Sequence, residues 1–155
     1  MSFQIVGVSF EQFESLFSMS DEALAELDAR RVRATEKPGY PCRVSLVDAE
    51  IGEELLLLPY EHQPVRSPYR ASGPIFVRKA ARQCRLAAGV IPDYVRTRQM
   101  SVRAYDAAHL MIDAAVCEGQ DAAAAILKMF NNSQVAYIHL HNAKRGCFSC
   151  RVNRA

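Results

Sequence analysis

The residues most capable of chemistry lie near the C-terminus, in His139-x-His141 and, six residues on, Cys147-x-x-Cys150. If residues 142–146 (NAKRG) form the loop of a hairpin, His141 stands opposite Cys147, His139 opposite Ser149 and Tyr137 opposite Arg151. Directly opposed Cβ atoms lie about 4.5–5.5 Å apart. An imidazole at that range can activate a thiol as a nucleophile. Cys147, His141 and His139 are therefore the candidate catalytic residues, with Arg145 and Arg151 adding positive potential. Alternation along the strands places Ala136, Ile138, Leu140, Phe148, Cys150 and Val152 on the opposite, apolar face. The same parity weakens a zinc reading of the two histidines and two cysteines. The ligand types fit, but Cys150 turns to the core and the spacing is not that of a zinc finger. No metal or other cofactor is assigned.

A second constellation is the segment Ser67-Pro-Tyr-Arg-Ala-Ser-Gly-Pro74. Gly73 permits positive φ, so the Ser72 and Gly73 amides can form an anion-binding nest. Arg70 and Arg78 can grip a phosphate or carboxylate from the sides, and Tyr69 can stack on it or hydrogen-bond. No Walker or G-x-G-x-x-G spacing is present. The competing account is a proline-braced loop with Arg70 paired to an acid. Tyr60-Glu61-His62 is a third candidate, but neighbours on a strand face opposite ways, so Glu61 and His62 do not cooperate. His109 reads as a surface residue in a turn.

The elements that must position these groups follow from pattern. Residues 3–9 read as a strand and 10–17 as a short helix with Phe10, Phe13 and Phe17 at helical spacing. Ser20 is an N-cap, followed by Asp21 and Glu22 in the first turn of a second helix. Strands are predicted at 42–48, 54–60 and 75–79, with 61–74 as a loop. The unbroken leucines of 54–60 imply burial on both faces. Alternation over 99–117 favours a hairpin, although its alanines also suit a helix, and 120–131 reads as a helix closed by Asn131–Asn132. Strands at 134–141 and 147–153 end the chain. The predicted class is α+β, a mostly antiparallel sheet with two or three helices, in one domain spanning 1–155.

With Tyr40-Pro-Cys-Arg43, Gly52-Glu-Glu-Leu-Leu-Leu-Leu58, Ser67-Pro-Tyr-Arg-Ala-Ser-Gly-Pro-Ile-Phe76, Arg103-Ala-Tyr-Asp106 and His139-x-His-Asn-x-x-x-Gly-Cys-Phe148, the chain resembles a bacterial family catalogued only as domain of unknown function 1203. The likeness runs from about residue 20 to 154. It implies a stand-alone bacterial protein and brings no activity, substrate or cofactor.

Charge is unevenly distributed. Residues 1–65 hold twelve acids and five bases, and residues 66–103 hold nine bases and one acid. Pairing across the fold would absorb this asymmetry, whereas a homodimer or partner protein would exploit it. Nucleic acid is disfavoured, because the arginines at 78, 82 and 85, in a stretch with helical potential, have no aromatic residue between Phe76 and Tyr94 to stack a base. There is no apolar run long enough to span a membrane and no basic leader, and the five cysteines are odd in number. These features predict a cytoplasmic protein with reduced thiols. The functional expectation is an anionic small-molecule site, with Cys/His chemistry where the 67–74 segment meets the C-terminal hairpin. The alternatives are a non-catalytic interaction or dimerisation module, and a zinc protein.

Overall fold

The computed structural model describes residues 1–155 as an α+β fold of two antiparallel sheets with a few short helices. The larger sheet has the order β1 (Phe3–Val6), β8 (Phe148–Arg154), β7 (Tyr137–Asn142), β5 (Gln99–Tyr105), β6 (Met111–Glu118). The smaller has β2 (Arg30–Arg33), β3 (Glu54–Gln63) and β4 (Ala71–Arg78). Residues 99–117 are a hairpin, as their alternation predicts: Met100, Val102 and Ala104 are buried. No helix is long and apolar enough to cross a membrane.

One face of the larger sheet is covered by α4 (Ala122–Phe130) and α3 (Asp93–Arg96). Alanine-rich α4 favours helix intrinsically. Its stripe of Ala122, Ile126, Met129 and Phe130 packs on Met100, Val102, Ile138, Leu140 and Val152. Each large side chain buried here contributes roughly 1.5–3 kcal/mol. In the smaller sheet, Leu56 and Leu58 join a core with Ile75 and Val77, while Leu55 turns to Ala34 and Ala49. Both faces of β3 are thus covered. Helices α1 (Glu11–Glu14) and α2 (Asp21–Glu26) lie before β2, and the Ser20 hydroxyl caps α2 by accepting from the Ala23 amide at 3.1 Å.

Three expectations are corrected. Residues 42–48 are not a strand but a compact turn held by Cys42 N–H to Val47 O and Leu46 N–H to Cys42 O. Cys42, Arg43 and Val44 are all buried, so the segment lacks a strand's alternation. Half of 61–74 is sheet, because β3 runs to Gln63 and β4 starts at Ala71. Pro59 and Pro74 stand opposite each other, a pairing that needs no N–H where the ladder makes no bond. The stretch carrying Arg82 and Arg85 is irregular, not helical.

Part of the charge asymmetry is consumed within the chain. Glu53–Arg78 (2.8 Å), Asp48–Arg98 (2.7 Å), Glu61–Arg70 (2.9 Å) and Glu54–Lys79 (3.6 Å) each join the acidic first segment to the basic middle one.

Candidate functional site

The C-terminal hairpin forms, but in a different register from the predicted one. His141 faces Phe148, Leu140 faces Cys150, His139 faces Arg151 and Tyr137 faces Asn153. Two steps along β8 match one along β7 between Leu140 and His141, the count of a β-bulge. Ser149 is the extra residue. The Tyr94 hydroxyl lies 2.7 Å from its Oγ and donates to its carbonyl at 3.0 Å, which anchors the bulge from the α3 side. The turn closes through Gly146, whose φ of +80° is a left-handed conformation suited to glycine, with its N–H on Asn142 O at 2.7 Å.

The bulge has two consequences. Phe148 rotates onto the histidine face and stacks on His62 at 5.1 Å between ring centroids, 8° from parallel. Cys147 is not set against His141. Its sulfur accepts from Arg43 Nη2 at 3.3 Å and from Asn142 Nδ2 at 3.4 Å. The partners of the thiol are a guanidinium and an amide, not an imidazole.

Arg43 is 1% exposed and enters no salt bridge. Its Nε donates to Phe148 O at 2.7 Å and its Nη1 to Pro41 O. Two cavities meet at this guanidinium. One, of about 620 Å³, is lined by Arg43, Arg98, Lys144 and Arg145 with Glu36 as its lone acid. Arg98 is already held by Asp48, so Arg43, Lys144 and Arg145 carry the unmatched charge. The other, of about 470 Å³, is lined by Leu57, Pro74, Phe148, His62, Ser72 and Gly73 among others. Arg43, Phe76, Arg145 and Cys147 line both.

Behind Phe148 lies a cluster of three histidines. Ring centroids are 5.0 Å apart for His62–His141, 6.1 Å for His62–His139 and 6.4 Å for His139–His141. His141 Nδ1 lies 2.9 Å from Gly146 O; a carbonyl only accepts, so Nδ1 carries the proton and Nε2 is a bare lone pair. That Nε2, with Nδ1 of His62 and of His139, is buried without a partner. Burial, reinforced by His141, Arg151, His62 and Arg103, pushes His139 down to about 3. Burial likewise takes His141 down to about 4 against the raising effect of its Gly146 bond, and it lowers His62, helped by Arg103. All three rings are neutral near pH 7. The cationic group beside the Cys147 sulfur is therefore Arg43 and not an imidazole.

The two-histidine, two-cysteine zinc set is not assembled. Cys150 sits in the core with Leu140, its thiol pushed up to about 12 by burial, on the other side of the sheet from the histidines. No group of three or more His, Cys, Asp or Glu side chains is arranged to hold a metal ion. All five cysteines are free.

Of the predicted site residues, Cys147, Arg145, Ser72 and Gly73 line one cavity. Gly73 has no positive φ and is paired with Tyr60 in the sheet, so the amide nest is not formed. Arg70 is turned away onto Glu61, and Arg78 is fixed by two bonds to Glu53, 2.8 and 3.1 Å long. Tyr69 packs edge-on against Tyr105 at 6.0 Å. His139 and His141 stand behind Phe148, in contact with its ring. His109 bonds the Tyr137 hydroxyl at 2.9 Å rather than standing free at the surface.

Sequence reasoning missed Arg43, and it named His62 as a candidate but set it aside. Arg43 had one signal, a lone cation in the apolar run Cys42–Val47. For His62 the pleat argument correctly separates it from Glu61, but it carries no information about the second sheet that His62 meets.

A family model described as "Protein of unknown function (DUF1203)" matches residues 39–154, a span that includes every residue of both cavities except Glu36. No curated protein and no solved structure matches the chain.

Proposed function

The chain belongs to the DUF1203 family, which brings no activity with it, and from the geometry alone we propose that it binds an anionic small molecule beside Cys147 and uses that thiol as a nucleophile. The observation that carries this reading is Arg43, a buried guanidinium with no carboxylate, aimed at the Cys147 sulfur where two cavities meet. Lys144 and Arg145 draw a carboxylate or phosphate into the larger cavity, and a guanidinium there grips either group bidentately. The half-buried sulfur is reachable from the same space. The step open to it is substitution at carbon. The S–C bond forms as the bond to the leaving group breaks, the leaving group takes the electron pair, and the thiol proton passes to solvent.

Paired alkylation tests this. Iodoacetate and iodoacetamide differ by one negative charge, and site-resolved mass spectrometry reports each cysteine separately. Cys84 and Cys117, equally half-buried, serve as internal controls. The iodoacetate-to-iodoacetamide rate ratio should be about tenfold higher at Cys147 than at the controls, the equivalent of about 1.4 kcal/mol of charge attraction at a shielded site. It should fall in Arg145→Ala. Equal ratios at all three cysteines would remove the anion site.

A further inference from the structure

The cationic cavity accounts for only half of the space around Cys147. The second cavity differs in chemistry: Leu57, Pro74, Phe76 and Phe148 form its walls, no acid lines it, and His62 is held neutral by burial. Phe148 cannot swing away cheaply, because one ring face stacks on His62 and its edges meet His139 and His141. The shared lining residues Arg43, Phe76, Arg145 and Cys147 make the sulfur the junction between a charged lobe and an apolar one. A lobe of about 470 Å³ is within the range of small-molecule sites and larger than a bare carboxylate or phosphate needs.

Resting on the anion site proposed above, we infer that the ligand is bipartite: an acid whose reactive carbon carries the anionic group on one side and an apolar alkyl or aryl chain on the other. The anion enters the lobe of Arg43, Lys144 and Arg145. The chain lies against Leu57, Pro74 and Phe148. The carbon between them is presented to Cys147. Ser72 sets the length of chain that fits. It is an exposed β4 residue with no side-chain hydrogen bond, on the wall of the apolar lobe, so a large side chain there occupies the lobe without disturbing the core.

The probes are 2-bromopropanoate and 2-bromohexanoate, which share the carboxylate and the reacting carbon and differ by three methylenes. In each, Sγ bonds to C2, the C–Br bond breaks, bromide leaves with the electron pair and the thiol proton goes to buffer. A fully buried methylene is worth roughly a factor of four, so three half-buried ones give about tenfold. The hexanoate should therefore alkylate Cys147 about tenfold faster than the propanoate, after normalisation to Cys84 and Cys117 in the same sample. In Ser72→Phe that preference should fall toward one. A Cys147 that prefers iodoacetate over iodoacetamide but does not distinguish the two bromoacids would overturn the bipartite ligand and leave the anion site standing. Loss of the iodoacetate preference would instead overturn the anion site. A chain-length preference unchanged by Ser72→Phe would place the chain outside this lobe and overturn the assignment.

Discussion

Lowering the pH from 7 to 5 should cost this protein about 4 kcal/mol of stability through His139 and His141 alone. Both are 1% exposed, and burial holds their folded-state values at about 3 and about 4. In the unfolded chain an imidazole binds its proton near pH 6.5. Between those limits unfolding takes up protons, so stability is full above about 6.5 and is lost as the pH falls toward the folded values. Each ring contributes about 2 kcal/mol between pH 7 and 5. Urea unfolding at pH 7, 6 and 5, followed by far-UV circular dichroism because the chain has no tryptophan, measures the sum. His139→Phe isolates one ring. The new ring enters aromatic surroundings, with Tyr105, Phe148 and Tyr137 centroids 5.1–5.3 Å from the present imidazole. The pH 7-to-5 loss should drop by about 2 kcal/mol in that variant. Glu53, whose carboxyl the Arg78 hydrogen bond holds below the usual range, and His62 contribute equally in both proteins and cancel. Identical pH dependence in the two proteins would show that the histidine face is wet and its rings titrate normally.

Two substitutions probe the frame of the site. Arg43→Met restores apolar volume but leaves Phe148 O, Pro41 O and the Cys147 sulfur without their donor; at about 1–3 kcal/mol for each orphaned buried acceptor, offset by relief of a desolvated charge, the urea midpoint should report a loss of about 3 kcal/mol. Tyr94→Phe removes the hydroxyl that holds the Ser149 bulge; a loss of about 1–2 kcal/mol, or roughly 2–8 °C in the melting temperature, is expected, together with slower alkylation of Cys147 if the bulge sets its position.

How much of this was legible in the sequence depends on the range over which each feature is decided. The Ser20 cap is a bond between residues three apart, and residue type suffices to predict it. The 99–117 hairpin follows from alternation, and the parity of Cys150 with Leu140 follows from the pleat. The bulge beside Leu140 has no local signature. It is decided by a tyrosine fifty-five residues away in sequence, and it changes which side chain meets His141. Strand β2 reads as RRVR, a poor strand by composition. It forms because Arg31 is tied to Asp21, Glu54 and two carbonyls, contacts that exist only after folding. The same holds for the arginines assigned to the ligand. Residue type marks an arginine as able to grip an anion, but only the fold decides that Arg70 and Arg78 hold carboxylates of their own chain while Arg145 holds none.

The burial of Arg43 is what makes a functional reading preferable to a structural one. Desolvating a guanidinium costs several kcal/mol, and neutral carbonyls repay less of that than a carboxylate would. Had the Phe148 and Pro41 carbonyls other donors, an apolar side chain of similar volume would serve stability better at such a position. The guanidinium instead spends two nitrogens on backbone oxygens, which fix its orientation, and directs the third at a cysteine sulfur on a cavity wall. Histidine could not substitute for it, since the neighbouring imidazoles are held neutral down to about 4 by the same burial. A guanidinium keeps its proton there. The positive field at Cys147 is therefore built from a group that burial cannot switch off, which is what the proposed nucleophile requires and a packing role does not.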